Sequence, residues 1–309
     1  MLEIFLKTLP FFAVIAVGYG AGRTKFFTPE ATAFLTKFVF YFALSAMLFR
    51  FAANLEISAI LDWPFVWAYL AGTMVVYLLA TVVAMTRGLS VAEAAIEAQC
   101  AVIGNVGFLG IPMLVLLLGQ AAIGPVMMVL AVDLIVFSSL VVILITGSRD
   151  GRMSFGVLRT VGLGLLKNPM IVSISLGLLV SSMALPIPVP VNEFLEILGG
   201  AATPGALFAI GASLASKSAE RMVIAGWLSF CKLIVHPAAV AVAALMVFDV
   251  DPYAAGVMIT AAALPVAGNV YILAQHYGVA PARVSATILL STGLSVLTIS
   301  AVIAWVTSL

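Results

Sequence analysis

Residues 100–112 read CAVIGNVGFLGIP and lie inside a long apolar segment. Residues 263–271 read ALPVAGNVY and lie inside a second such segment. Both stretches place glycine, asparagine and proline where a continuous membrane helix would carry apolar side chains. Because proline removes a backbone donor and glycine lowers helix stability, we expect both helices to break there. Broken backbone at membrane depth must be buried in protein or line a cavity, so the two stretches predict a binding site.

The composition of the whole chain is that of a membrane protein. It has 309 residues, of which 64% are hydrophobic and 9% are charged, whereas soluble domains carry about 25% charged residues. Apolar stretches long enough to cross a bilayer as helices recur along its length. The sequence therefore predicts an all-α polytopic membrane protein in the lipid bilayer. We place ten transmembrane helices at 4–22, 31–51, 64–86, 97–119, 122–146, 169–185, 194–215, 223–247, 254–276 and 284–307.

Lysine and arginine are distributed unevenly between the two sides of the predicted membrane domain. When the sides alternate along the spans, the side of the termini receives only Lys7 and Arg50. Cytoplasmic loops carry the excess of lysine and arginine, so the opposite side is predicted to be cytoplasmic. We expect a multi-pass protein of the cytoplasmic (inner) membrane with both termini outside. The residues on the cytoplasmic side are Arg23, Lys25, Lys37, Arg87, Arg149, Arg152, Arg159, Lys167, Lys217, Arg221 and Arg283.

The two halves of the sequence resemble each other. A shift of 159 residues places Gly18 on Gly177 and the five spans of one half on the five spans of the other. Because five is odd, the second half is predicted to be inverted relative to the first. Inverted repeats are typical of secondary transporters, with the site between the repeats, although channels can share such symmetry. The predicted units are a first repeat at 1–150, a cytoplasmic linker at 151–168 and a second repeat at 169–309.

Two asparagines are the polar side chains expected to contact a ligand. Asn105 and Asn269 lie in the two predicted breaks, which correspond under the same shift. Their amides can donate to a carboxylate or accept from a hydroxyl. The alternative is that they satisfy the broken backbone or bridge two helices. With the neighbouring Gly104 and Gly268, they make up the predicted substrate-binding residues.

The breaks also predict the sign of the ligand's charge. Gly110, Pro112 and Pro265 are predicted to form the breaks, with the two prolines in the first turns of the half-helices that follow. Inverted symmetry would bring two such N-termini together from opposite sides. Each N-terminus carries partial positive charge, so the arrangement favours an anion such as a carboxylate.

Two charged residues are predicted at mid-membrane depth. Asp133 lies in the fifth span and Lys232 in the eighth, and each requires a partner or a wet cavity. One interpretation is a structural ion pair between them. The other is a coupling site, in which Asp133 exchanges a proton as substrate binds. His236, one turn after Lys232, is either a proton relay or a hydrogen-bonded packing residue.

These features favour a secondary carrier of a small mono- or dicarboxylate, and the alternative is an anion channel or passive pore. An enzyme is not expected, because the sequence has no His-Glu-x-x-His, no Gly-x-Ser-x-Gly and no paired intramembrane aspartates. Cys100 and Cys231 fall in separate spans, where we expect apolar packing and neither a metal nor another cofactor. The net charge of +1 argues against a nucleic-acid partner.

Three segments resemble those of a known family. Residues 104–112 (GNVGFLGIP) resemble the fourth-span motif of the auxin efflux carrier family, in which an asparagine precedes Gly-Ile-Pro. Residues 263–277 (ALPVAGNVYILAQHY) resemble its ninth-span motif, and residues 232–237 (KLIVHP) are similar to its bacterial eighth-span pattern. The likeness covers the full chain. The short central linker resembles the bacterial branch, which is related to plant PIN-type auxin carriers.

This resemblance implies an elevator-type mechanism of alternating access. Spans 1, 2, 6 and 7 would form a scaffold, and spans 3–5 and 8–10 a mobile transport domain in which the broken spans four and nine cross. The resemblance also implies a substrate beside Asn105 and a homodimer. Proposed carriers of malonate and other dicarboxylates belong to the bacterial branch, so the implied substrate is a malonate- or auxin-like organic anion.

Overall fold

The computed structural model describes residues 2–54, 62–150, 159, 162–163, 165–215 and 222–307. These residues are helical apart from connecting turns and one isolated β-bridge between Gly104 and Val266. Most of the predicted cytoplasmic linker, 151–168, lies outside them. The helices discussed below are α1 (Leu2–Arg23), α2 (Pro29–Ala53), α3 (Trp63–Thr86), α4a (Val91–Val102), α4b (Val106–Leu118), α5 (Gln120–Ser148), α6 (Pro169–Ser182), α7 (Val189–Leu214), α8 (Met222–Val247), α9a (Pro252–Ala262), α9b (Gly268–Tyr277) and α10 (Pro281–Val306).

Length and hydropathy mark these helices as membrane-spanning. Six of them, α2, α3, α5, α7, α8 and α10, are each long and apolar enough to cross a membrane. Four shorter apolar stretches lie in α1, α4b, α6 and α9a. Each of the ten predicted spans overlaps one of these helices. The chain is therefore a multi-pass membrane protein.

The fourth predicted span begins at the wrong residue. α4a starts at Val91 and not at residue 97, because Ser90 caps its first turn. Ser90 Oγ accepts from the Glu93 N–H at 3.3 Å, and the Glu93 carboxylate accepts from the Ser90 N–H at 3.2 Å. This reciprocal capping box fixes the start of the helix.

The earlier start of α4a buries a carboxylate that the sequence analysis did not single out. Glu97 lies inside the helix and is 1% exposed. It accepts from Arg87, which follows α3, and from Arg283 Nη1 in the first turn of α10 at 2.6 Å. A buried carboxylate needs such partners. The cluster joins α3, α4a and α10 at one end of the protein.

α1 packs along α7, and α2 packs along α6, at very short backbone distances. A Cβ built on Gly18 of α1 would lie 2.2 Å from the carbonyl oxygen of Phe208 in α7. A Cβ built on Gly177 of α6 would lie 2.7 Å from the carbonyl oxygen of Phe49 in α2. Only glycine permits this approach. The two contacts correspond, since shifting Gly18 and Phe49 by 159 residues gives Gly177 and Phe208.

A polar contact ties α2 to α7. Arg50 Nη2 donates to Glu196 Oε2 at 2.9 Å, and Arg50 Nε donates to Asn192 Oδ1 at 3.2 Å. Arg50 is therefore held by partners on α7 at the end of α2. Through these contacts α1, α2, α6 and α7 form one packed group.

The remaining helices pack around the two helix breaks. α3 contacts α4a and α8, and α8 contacts α9a and α10. π-turns at Asp133–Phe137 in α5 and at Cys231–Val235 in α8 widen the two helices where their charged residues lie. Such turns occur frequently at functional sites. The fold thus gathers the breaks and the intramembrane charges in one group of helices.

Candidate functional site

The two helix breaks meet and pair with each other. The Asn105 N–H donates to the Pro265 carbonyl at 2.8 Å, and the Ala267 N–H donates to the Ile103 carbonyl at 3.1 Å. The isolated β-bridge lies between these two hydrogen bonds. Each extended segment thus satisfies backbone groups that the other loses by leaving the helix. This pairing allows two interrupted helices to lie side by side in an apolar environment.

The pairing sets the register between the two breaks. Gly104 and Val266 form the bridge, with Asn105 opposite Pro265 and Ile103 opposite Ala267. The correspondence of the breaks as repeats stays a prediction.

One of the two prolines lies where it was predicted. Pro265 lies in the extended break, before α9b begins, so its predicted place in a first turn is wrong. Pro112 lies in the first turn of the α-helical part of α4b, Ile111–Leu118, which follows the π-turn Val106–Gly110. The wider π-turn accommodates the missing N–H of Pro112. Gly110 closes that turn, and a Cβ there would lie 2.6 Å from Leu264 Cδ1, so Gly110 lets α4b pack against the second break.

Both half-helices that follow the breaks begin without a side-chain cap. Asn105 is the N-cap of α4b and is 6% exposed, yet its side chain makes no capping hydrogen bond. Asparagine at this position normally accepts from the first turn. The N-cap of α9b is Ala267, whose side chain cannot form a cap. Val106, the first residue of α4b, donates its N–H to the Gly104 carbonyl at 2.8 Å. The partial positive charge of the two uncapped N-termini and the amide of Asn105 favour an anion at the breaks.

Lys232 brings an ammonium group to the breaks. Its side chain is fully buried, and Nζ donates to the carbonyl of Ala262, the last residue of α9a. A cation at this end offsets the partial negative charge of the helix C-terminus. A Cβ built on Gly104 would lie 3.3 Å from Lys232 Nζ. The ammonium therefore lies at the end of α9a and close to Gly104 of the first break.

Asp133 and Lys232 belong to one buried polar network without direct contact. Within the described part of the chain, no ion pair of 4.0 Å or less joins them. Asp133 Oδ1 accepts from the Tyr69 hydroxyl at 2.8 Å, and Asp133 Oδ2 is buried without a partner. Lys232 Nζ lies 3.2 Å from His236 Nδ1, and His236 Nε2 lies 3.0 Å from Thr73 Oγ1. No sequence motif indicates Tyr69 or Thr73.

The second break has a polar support from α10. Ser291 Oγ, which no sequence motif indicated, accepts from the Val266 N–H at 3.2 Å. Asn269, in the first turn of α9b, is half-buried and its Oδ1 has no hydrogen-bond partner. Gly268 is exposed, and a Cβ there would meet no atom within 4 Å. The start of α9b therefore borders open space.

An apolar multi-pass bundle with two paired helix breaks has the architecture of a membrane transporter. The family model described as "Membrane transport protein" matches residues 3–303, and the chain belongs to this family. It is the auxin efflux carrier family that the sequence motifs resemble, which confirms that prediction. The family is one of transporters and not of enzymes.

A curated relative covers nearly the whole chain. It comes from Rhizobium meliloti (strain 1021) and is named "Putative malonate transporter". The two sequences are 30% identical over 306 residues, which make up 97% of this chain and 95% of the relative. The similarity therefore includes both helix breaks and the helices around them.

Proposed function

We propose that this protein is a secondary active transporter that moves a small organic anion across the cytoplasmic membrane. The observation that carries the proposal is the pairing of two breaks beside uncapped half-helix N-termini and the ammonium of Lys232. Helix N-termini and a buried cation both favour a carboxylate. The amide of Asn105 adds a directional donor for one carboxylate oxygen.

Malonate is the substrate that we propose first. The relative's name supports it, and so does the number of anion-binding elements at the breaks. One carboxylate would lie at the start of α4b beside Asn105, and the other at the start of α9b beside Gly268 and Asn269. The ammonium of Lys232 would offset part of the double negative charge. An auxin-like monocarboxylate would occupy only the first of these positions.

We infer an elevator mechanism, in which α1, α2, α6 and α7 form the scaffold and the other helices form the transport domain. The contacts between the groups near the first break are apolar and lack directional bonds. Phe108 of α4b stacks on Phe40 of α2 at 6.3 Å. A Cβ built on Gly107 would lie 2.6 Å from Met170 Cε of α6. Such a surface can slide without breaking hydrogen bonds.

The proposed architecture is two inverted five-helix repeats, 1–150 and 169–309, with both termini outside. The exchanged contacts of Gly18 with Phe208 and of Gly177 with Phe49 support it, because a twofold relation between the halves would produce such a pair. Inverted repeats give the site two equivalent access directions.

The test is uptake of radiolabelled acids by the purified protein in liposomes, with and without proton and sodium gradients. The panel is malonate, malate, succinate, lactate, an aryl-acetate and a bile acid. We expect saturable uptake of malonate. Asn105→Ala should raise the KM about 10- to 150-fold, because a hydrogen bond to a charged group contributes about 1.5–3 kcal/mol. Asn54→Ala, which removes an exposed amide bonded to the Arg50 carbonyl, is the matched control.

Two results would contradict the proposal. Absence of uptake for every acid, in a protein with an intact thermal transition, would rule out transport of carboxylates as its function. Conduction that rises linearly with voltage and does not saturate with substrate would show that the protein is a pore and not a carrier. Normal substrate affinity in folded Asn105→Ala would mean that Asn105 does not bind the substrate, although the protein could still be a carrier.

A further inference from the structure

Buried polar groups form a line from α5 to the helix breaks. Asp133 Oδ1 accepts from the Tyr69 hydroxyl at 2.8 Å. That hydroxyl also lies beside the side chain of Thr73, one turn further along α3. Thr73 Oγ1 is 3.0 Å from His236 Nε2, and His236 Nδ1 is 3.2 Å from Lys232 Nζ. The line joins a carboxyl group, three hydrogen-bonding groups and an amine in succession, with Tyr69 and Thr73 one turn apart on α3.

We propose that Tyr69, Thr73 and His236 relay a proton between Asp133 and Lys232 and thereby switch the charge beside the substrate site. The inference rests on the proposed carrier function, since it describes the regulation of the same site. Tyr69, Thr73 and His236 are relay residues and do not touch the substrate.

The relay balances with protons alone. The Lys232 ammonium passes a proton to His236 Nδ1, and His236 passes its Nε2 proton to Thr73 Oγ1. Thr73 passes its hydroxyl proton to the Tyr69 oxygen, and Tyr69 passes its own to Asp133 Oδ1. Each group between the ends gains one proton and loses one. An ammonium and a carboxylate become an amine and a carboxylic acid, and only N–H and O–H bonds form or break.

The surroundings of His236 suit this role. Its Nδ1 lies 3.2 Å from both the Ala262 carbonyl oxygen and Lys232 Nζ. With a proton on Nδ1, the ring donates to the carbonyl and accepts from Thr73 at Nε2. With a proton on Nε2, the ring donates to Thr73 and accepts from Lys232 at Nδ1. The ring can therefore change tautomer without moving, as a relay requires.

The relay would act on the substrate through Lys232. As an ammonium, Lys232 attracts a carboxylate bound at the breaks, and as an amine it does not. Asp133 can serve as the far end, because its Oδ2 is buried without a partner. Proton position and substrate release are linked in this way inside one group of helices.

The titratable and charged groups around the line come from four elements. α9a has no titratable side chain between Gly256 and Ala262, so it contributes only its terminal carbonyl to this region. Glu97 is held by its two arginines and is not part of the line. The groups are Tyr69 and Tyr77 on α3, Glu97 and Cys100 on α4a, Asp133 on α5, and Cys231, Lys232 and His236 on α8.

The experiment compares proton-driven malonate uptake with malonate exchange in liposomes. Tyr69→Phe and Thr73→Val each remove one hydroxyl from the line. The chain offers matched controls on the same helix. The Tyr77 hydroxyl is buried without a partner, and the Thr81 hydroxyl bonds only to the Tyr77 carbonyl of its own helix, at 2.8 Å. Tyr77→Phe and Thr81→Val therefore remove the same atoms outside the line.

We expect Tyr69→Phe and Thr73→Val to lower proton-driven uptake about 100-fold or more, the lower end of what a positioned proton donor contributes. Exchange, which requires no net proton movement, should stay within about twofold of the wild type, because substrate contacts are intact. Thr73→Ser should restore proton-driven uptake, and both controls should match the wild type. Asp133→Asn should abolish the pH dependence of uptake.

Equal loss of both activities in Tyr69→Phe would mean that the hydroxyl is merely structural, and unchanged proton-driven uptake would remove it from any relay. If uptake by the wild type does not depend on the proton gradient, the relay is wrong, while the proposed carrier function still holds. If no acid is transported, time-resolved infrared spectroscopy after a pH jump still tests the relay. The Asp133 carboxyl band, assigned by its loss in Asp133→Asn, should form about 100-fold more slowly in Tyr69→Phe than in Tyr77→Phe, and equal rates would overturn the relay.

Discussion

The two helix breaks have the same backbone pattern and different side chains. In both, an extended segment pairs with the other break and is followed by a half-helix without a side-chain cap. The first break has Asn105 at the N-cap, whereas the second has Ala267 at the corresponding position. The half-helix before the second break ends at Ala262, whose carbonyl accepts from the ammonium of Lys232.

The different side chains give the two breaks different proposed roles, hydrogen bonding at one and charge at the other. The backbone pattern supplies an anion-binding N-terminus from each break. In the proposed site, the amide of Asn105 at the first break supplies the stronger hydrogen-bonding specificity. The ammonium of Lys232, which donates to the Ala262 carbonyl before the second break, supplies charge. We therefore expect variants of the two breaks to fail in different ways.

The largest effect is expected from Lys232→Met. Replacing a buried ion with an apolar residue of similar volume is often tolerated by the fold. The Ala262 carbonyl would also keep His236 Nδ1, at 3.2 Å, as a donor. Malonate uptake should fall more than about 100-fold, since a charged hydrogen bond and the attraction of an ammonium are both lost. The measurement is initial uptake rate in liposomes, with melting temperature as the check on folding.

The control for this variant is Lys37→Met, which removes an exposed ammonium lying 5.7 Å from the Phe34 ring. It should transport normally. Retained malonate affinity in folded Lys232→Met would mean that the two breaks do not differ in charge as proposed, and that the half-helix N-termini alone hold the anion.

A smaller effect is expected from Asn269→Ala. Asn269 lies in the first turn of α9b, and its Oδ1 lacks a hydrogen-bond partner, but the N-cap of that half-helix is Ala267, whereas Asn105 is itself the N-cap of α4b. We expect the KM of Asn269→Ala for malonate to rise less than about tenfold, because a neutral hydrogen bond contributes about 1 kcal/mol. Asn105→Ala should exceed it clearly in the same assay. Equal losses of malonate affinity in the two variants would mean that Asn105 and Asn269 contribute equally to the site.

The sequence identified the breaks because glycine, asparagine and proline stand out in apolar helices. It did not place Pro265 correctly, since backbone pairing between distant segments leaves no periodic pattern. Pro265 lies in the extended segment, whereas Pro112 lies in a first turn as predicted, after a π-turn that the sequence did not indicate. The burial of Glu97 was missed although Ser90 and Glu93 have the spacing of a capping box, a signal that would have moved the start of α4a.

The residues of the polar network illustrate a different limit. Asp133 and Lys232 were identified from the sequence because charges are rare in membrane helices. Tyr69 and Thr73 were not, because a tyrosine or threonine in a span is ordinary. Their importance follows from contacts with residues more than sixty positions away, such as Tyr69 with Asp133. A single sequence contains no record of such contacts.

The smallest effects concern the scaffold, where the two halves should behave alike. Gly18→Ala and Gly177→Ala each place a methyl group within 2.7 Å of a backbone carbonyl oxygen, and overpacking of this kind costs about 1–3 kcal/mol. We expect both to lower the melting temperature in detergent by similar amounts. Gly20→Ala is the control, because a Cβ there meets no atom within 4 Å. It should be neutral or stabilising by up to about 1 kcal/mol, the helix preference for alanine. Unequal losses at the two glycines would mean that the symmetry of the breaks does not extend to the scaffold.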